Sequence, residues 1–205
     1  KNSIQLASRS LLNGSTIILP TDTVYGIAAL ASSKKAVEKI FKIKKRPKSL
    51  PLIIFVKSMK DATKIAEFSR LDIALANELW PGPLTLILKK KKSRIYNGDK
   101  RLSKIGIRIP KNKTVLDLLY KIKKPLATTS ANLHKEKNVR KIDSLSILEN
   151  KNIKIAISTN EKMSFKESTL LETSEKEVKI IRSGQINEKI IRKVIKSHGY
   201  PHKIK

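Results

Sequence analysis

A chain of 205 residues is long enough for one well-buried α/β domain and short for two. With no cysteine it forms neither a disulfide framework nor a thiolate metal site, and three scattered histidines (His134, His198, His202) argue against a histidine metal cluster or a Ser-His-Asp triad. The formal charge of +28, from 45 Lys and Arg against 17 Asp and Glu, implies weak attraction to polyanions such as RNA at low salt, although lysines spread along the whole length fit a compositional bias as well.

No apolar run approaches the ~20 residues of a membrane span, and Lys1–Ser15 lacks the apolar core of a secretory signal. The expectation is a soluble cytoplasmic protein with no membrane association.

In chain order, Ile4, Ala7, Leu11 and Leu12 recur at helical spacing, which predicts a helix over 3–13 that Gly14 stops. Thr16–Leu19 reads as a short buried strand. Ser33 is a candidate N-cap for a helix through Lys44, with Val37, Ile40, Phe41 and Ile43 inward and Pro47 just past its end. Leu52–Val56 is an apolar strand, Ser58 opens another helix, and a further helix runs over 71–79. Leu84–Leu88, Ile105–Ile109 and Leu126–Thr129 are strands, with a helix near 114–120 between the last two.

Lys89–Lys104 is polar, carries Gly98, and reads as a mobile loop. Strands near 153–157, 168–171 and 178–181 precede a basic amphipathic helix over 187–196. Helices alternate with strands early and strands crowd together later. That order predicts a single α/β domain over 1–200, a twisted open mixed sheet flanked by helices, with a tail at 201–205. Neither a dinucleotide-binding glycine motif nor a P-loop is present, so a nucleotide would be held by loops and side chains.

Polar clusters mark the strand ends. Pro20-Thr21-Asp22-Thr23-Val24-Tyr25-Gly26 leaves an apolar strand with two hydroxyls, a carboxylate and a phenol, suited to a small amino acid or, equally, to a turn that bonds its own backbone. Lys44 and Arg46 suit phosphate oxygens, yet cations at a helix C-terminus also satisfy its dipole. Arg108 stands alone on an apolar strand and needs either a structural carboxylate or an anionic ligand. Thr128-Thr129-Ser130-Ala131-Asn132 ends another strand with hydroxyls and an amide. Ser168-Thr169 and Arg182 repeat the theme. Trp80 among prolines reads as a rigid packing corner.

In this order, Pro20–Gly26, Lys44-x-Arg46-Pro47, Trp80-Pro81-Gly82-Pro83-Leu84-Thr85, Gly106-x-Arg108-x-Pro110, Ser130-Ala131-Asn132, Ser168-Thr169 and Arg182-x-Gly184 resemble the YrdC/TsaC family of threonylcarbamoyl-AMP synthases, over about residues 3–196. The resemblance implies the family's twisted open sheet and a reaction of L-threonine, bicarbonate and ATP with magnesium. Its product feeds a separate tRNA threonylcarbamoyl transferase acting on adenosine 37. Motif by motif, Thr23, Arg108, Thr128 and Thr169 would hold threonine. Lys44, Arg46, Ser130, Asn132, Asn138 and Arg182 would hold ATP, with Lys44 and Arg46 carrying the chemistry. No protein metal site is implied. The chain departs from the family pattern at 133–136, at 164–167 and at Glu172. A non-catalytic relative that grips RNA is the competing expectation.

Overall fold

The computed structural model describes residues 2–98, 102–133, 136, 141–174, 177–201 and 203–205. Helices are α1 (Asn2–Leu12), α2 (Lys34–Lys44), α3 (Met59–Thr63), α4 (Arg70–Leu79), α5 (Lys113–Ile122) and α6 (Glu188–Ser197). Strands are β1 (Thr16–Leu19), β2 (Gly26–Leu30), β3 (Ile53–Phe55), β4 (Leu84–Lys89), β5 (Lys104–Arg108), β6 (Leu126–Ser130), β7 (Ile153–Ala156), β8 (Thr169–Thr173), β9 (Glu177–Arg182) and β10 (Lys203–Ile204). They form one open mixed sheet in the order β10-β9-β8-β4-β5-β3-β6-β2-β1-β7. Pairs β1/β7, β3/β5, β4/β8 and β9/β10 are parallel, and the others antiparallel.

Successive residues of a buried strand feed opposite faces. Ile18, Ile27 and Ala29 join a large cluster with α2, α4 and α6, while Ile17, Leu19, Ala28 and Leu30 join a smaller one with α1 and α5. Among the described residues no helix is long and apolar enough to cross a membrane.

Local signals locate most helices. Ser33 Oγ accepts from the Ala36 N–H, Ser58 Oγ from Asp61, and Asn112 Oδ1 from Val115. Ser69 and Asp72 form a reciprocal capping box on α4. The end of α2 matters most for the site. Lys45 takes the left-handed conformation at φ 51°, its N–H and that of Arg46 return to the α2 carbonyls, and the chain leaves the helix with Arg46 turned toward Leu50.

Three features differ from the sequence expectation. Strand β2 was not anticipated, because its two alanines have low strand propensity; pairing on both edges, with β1 and β6, holds it extended. The region after Lys89 is in part firmly packed. Ile95, Tyr96 and Asn97 are buried, Tyr96 N–H donates to Ala31 O (2.8 Å) and Leu52 N–H to Asn97 O (2.7 Å). Gly98, at φ +137°, lies so close to Phe41 that a Cβ would stand 2.7 Å from its ring. Finally, Lys203–Ile204, expected in a tail, pairs with β9 as an added strand.

Candidate active site

A pocket opens on the face of the sheet that carries the smaller cluster. Its floor is Ile53 and Phe55, and the strand register sets its walls: Thr128 pairs with Ile53, Arg108 with Phe55, Ser130 with Gly26 and Arg182 with Leu170. Because β3 and β6 run antiparallel, Arg108 and Thr128 reach this face from opposite strand directions. The ligand space therefore lies across the sheet rather than beyond one end of its strands. It encloses ≈ 120 Å³, several times the ~10–15 Å³ that one water requires.

The first wall is the loop after β1. Thr21 Oγ1 accepts from the N–H groups of Thr23 (3.0 Å) and Val24 (3.1 Å) and donates to Val24 O (2.7 Å). This hydroxyl builds the turn. With the Thr21 proton so used, the Thr23 hydroxyl donates to Thr21 Oγ1 at 2.9 Å and accepts from Arg108 NH1 at 3.1 Å. Thr21 thus turns the chain, and Thr23 beside it lines the pocket.

Arg108 is 2% exposed. Its Nε donates to Gly82 O (2.9 Å), at the rigid Trp80–Pro83 corner, and its NH2 to Asp22 Oδ1 (2.6 Å). The structural-carboxylate alternative is realised. Burial pulls the guanidinium pKa down, and Asp22 opposes that shift. Of its five N–H groups, three are used within the protein, which leaves two for an anion in the pocket it lines.

The end of β6 forms the second wall. Thr128 is 2% exposed, lines the pocket, and its hydroxyl has no partner among the described residues. A buried hydroxyl left unmatched costs about 1–3 kcal/mol, so this atom asks for a ligand. Ser130 Oγ donates to Asn132 Oδ1 (2.6 Å). Asn132 itself does not line the pocket; its amide donates to Glu136 O, bracing the turn that follows. Asn138 lies outside the described residues.

Cations form the third wall. Arg46 donates from Nε to Leu50 O (2.9 Å). Arg182 donates to Ser168 O from NH2 (2.9 Å) and Nε (3.2 Å), and its NH1 is 2.7 Å from Glu167 Oε2. Each guanidinium is partly buried, with its pKa lowered first by desolvation. Gly184 is required here. A Cβ on it would fall 2.4 Å from the Ser168 carbonyl carbon and the Thr169 nitrogen, so only glycine lets the end of β9 approach this backbone.

Besides Asn132, two site residues expected from the sequence stand elsewhere. Lys44, expected on the phosphates beside Arg46, does not line the pocket and is 1% exposed. Its ammonium donates to the carbonyls of Ser130 and Asn132, and to Asn132 Oδ1 at 3.0 Å. Burial, then the nearby Arg46, push its pKa down to about 8. Lys44 is a clamp on the β6 turn. Thr169, expected to bind threonine, faces the opposite side of the sheet. Its hydroxyl donates to Ile186 O (2.7 Å) and accepts from Ile186 N–H (3.0 Å). The strand alternation puts Ser168 and Leu170 in the pocket instead. Ser168, with its Oγ 2.9 Å from Thr85 Oγ1, and Glu167 are among the lining residues that the sequence did not place in the site. The signal for Ser168 was its parity with Leu170.

Comparison with known proteins follows the same lines. The family model for Sua5, YciO and YrdC proteins, described as telomere recombination, matches residues 9–184. A Methanocaldococcus jannaschii protein, provisionally named a threonylcarbamoyl-AMP synthase, is 34% identical over 188 residues, 91% of this chain and 87% of its own. The threonylcarbamoyl-AMP synthase of Pyrococcus abyssi is 31% identical over 195 residues, 94% of this chain and 57% of that protein. The crystal structure of P. abyssi Sua5 complexed with L-threonine superposes at a TM-score of 0.87 and 30% identity, covering 98% of this chain and 58% of that one. The chain thus spans little more than half of the archaeal Sua5. Escherichia coli YciO shares the fold, with a TM-score of 0.81 at 21% identity over 92% of each chain.

Proposed function

The chain belongs to the Sua5/YciO/YrdC family, and from that premise we propose that it is a threonylcarbamoyl-AMP synthase, joining L-threonine, bicarbonate and ATP with release of pyrophosphate. The observation that carries this reading is the unpartnered Thr128 hydroxyl beside Thr23 and the two free donors of Arg108, next to a second group of cations. An amino acid supplies what that corner lacks. Its carboxylate takes the free Arg108 donors, and its polar groups meet Thr128 and Thr23. The relative solved with L-threonine supports this assignment.

The polyphosphate then belongs to Arg46 and Arg182, with Ser130 on the same wall. Arginine forks match phosphate oxygens in pairs. The chemistry asks little acid–base work of the chain. The threonine nitrogen forms a bond to the bicarbonate carbon with loss of water, and a carbamate oxygen then attacks the α-phosphorus while the bond to the pyrophosphate oxygen breaks. Holding the amine and the α-phosphate in line across one pocket supplies orientation. Arg46 and Arg182 stabilise charge that gathers on the departing pyrophosphate. Lys44 contributes by fixing the carbonyls of Ser130 and Asn132.

Among the described residues no three metal-ligating side chains cluster. Magnesium needs only one or two protein carboxylates when phosphates share it, and Glu167 in the pocket lining fits that demand. When bound, magnesium would supply charge neutralisation on the phosphates. The product would pass to a tRNA threonylcarbamoyl transferase.

The test is pyrophosphate release from ATP by the purified protein, with and without threonine and bicarbonate, with serine as control. Release that requires threonine is expected, and Thr128→Val should raise the threonine KM about tenfold, the cost of one lost hydrogen bond, with the ATP KM unmoved. Threonine-independent release would overturn the synthase reading, and no release beside RNA binding would favour the non-catalytic alternative.

A further inference from the structure

Glu167 lies in the pocket lining, against the cations that the synthase reading reserves for phosphate. Its carboxylate oxygen is 2.7 Å from Arg182 NH1, both side chains being about one-third exposed. It also acts on more than that one partner. Arg46, Arg182 and the buried Lys44 all feel its charge, each held more firmly protonated by it against desolvation. One carboxylate thus contacts Arg182 and acts electrostatically on Arg46 and Lys44 as well.

The rest of the Arg182 fork is committed to the chain. Its Nε and NH2 donate to Ser168 O, and its NH2 also reaches Ser168 Oγ at 3.2 Å. A backbone carbonyl cannot swing away, whereas a partly exposed side-chain carboxylate can. The backbone carrying Glu167 is independently fastened. Phe165 N–H donates to Thr23 O (2.8 Å), Gln185 N–H donates to Glu167 O (2.9 Å), and Gly184 packs on the 167–169 backbone. The carboxylate can therefore leave Arg182 without unfastening the strap that bears it.

We propose that Glu167 is a built-in counter-ion of the phosphate site, seated on Arg182 in the free protein, where it screens the site against metal-free polyphosphates. The inference rests on the synthase reading for its ligand. A bare polyphosphate must displace the carboxylate from Arg182 and then endure its charge at close range. A polyphosphate carrying a divalent cation arrives with a partner for that carboxylate, so the displaced Glu167 is satisfied and the penalty falls. Glu167 then sets selectivity for the metal-complexed form.

The experiment is calorimetric titration of the full chain with inorganic pyrophosphate, in EDTA and in excess magnesium, for the wild type, Glu167→Gln and Glu167→Ala. In EDTA both variants should bind pyrophosphate about tenfold more tightly than the wild type, the effect of roughly one charge removed from a partly exposed site. In magnesium the gap should close or reverse. A carboxylate serving only as a brace between β8 and β9 would lower the melting temperature of both variants and leave affinity unchanged or weaker in EDTA, which would overturn the proposal. If no protein binds pyrophosphate under either condition, the phosphate assignment itself fails, and the counter-ion role fails with it. Wild-type binding with no gain in the variants sinks the counter-ion role alone.

Discussion

The two arginine corners of the pocket are built on opposite plans. Arg108 is sealed at 2% exposure between Asp22, Thr23 and the Gly82 carbonyl, with its guanidinium carbon 5.5 Å from the centre of the Phe55 ring. Arg182 is about one-third exposed and pairs with the equally accessible Glu167. The first corner is preformed, and on the proposed reading its ligand would fill a fixed gap beside Thr128. The second is held by an ion pair that solvent weakens, and a ligand enters by exchanging partners. The lesson is that one pocket can be rigid at one corner and adjustable at the other, which suits the proposed pairing of a small amino acid with a highly charged polyphosphate.

The largest expected effect breaks the rigid corner. Arg108→Ala strands the Asp22 carboxylate, which among the described residues accepts from Arg108 and the Lys111 N–H alone. Removing one partner of a buried pair costs about 3–5 kcal/mol, so the melting temperature should fall sharply and threonine binding should vanish. A melting point close to the wild type would mean the corner is not the keystone described. Arg46→Ala combined with Arg182→Ala tests the adjustable corner. Partly exposed cations contribute little to stability, so the fold should survive with a near-native thermal melt. Pyrophosphate release should drop by about 10²–10³-fold, the scale for lost transition-state charge stabilisation. Wild-type turnover in that double variant would remove phosphate from this wall.

The smallest effect concerns the clamp between the two corners. Burial lowers the Lys44 pKa from 10.5 to about 8. The unfolded chain then holds the extra proton between those values, so Lys44 makes stability rise with pH across that window. Activity should run the other way. As the ammonium is lost above pH 8, the Ser130 and Asn132 carbonyls lose their shared donor, and kcat should fall several-fold with a midpoint near pH 8. Lys44→Met should abolish that alkaline limb, and a limb unchanged in the variant would assign it to another group.

Much of the scaffold was legible from local signals, because capping and apolar periodicity act over a few residues. The serines at 33 and 58 open helices as expected, and the apolar runs at 16–19, 84–88 and 105–109 are strands within a residue or so. Strand β2 was hidden because its alanines carry no strand signal of their own; its extended form comes from β1 and β6 on either side. The stretch at 95–97 was hidden by the polar residues around it, since only the folded chain shows Tyr96 and Asn97 seated against residues 31 and 52.

The sequence by itself determined the family, the fold class and part of the polar set that lines the pocket, because ordered motifs carry residue identity independently of where the side chains point. Which residues line the pocket was decided only by tertiary structure. One step of strand alternation turns Thr169 onto Ile186 and brings Ser168 into the pocket. The carbonyls at the end of β6 draw Lys44 away from the pocket lining, and Glu167 meets Arg182 only because β8 and β9 run side by side. A side chain's direction follows from strand parity and from the partners that neighbouring strands present, and both are properties of the assembled sheet.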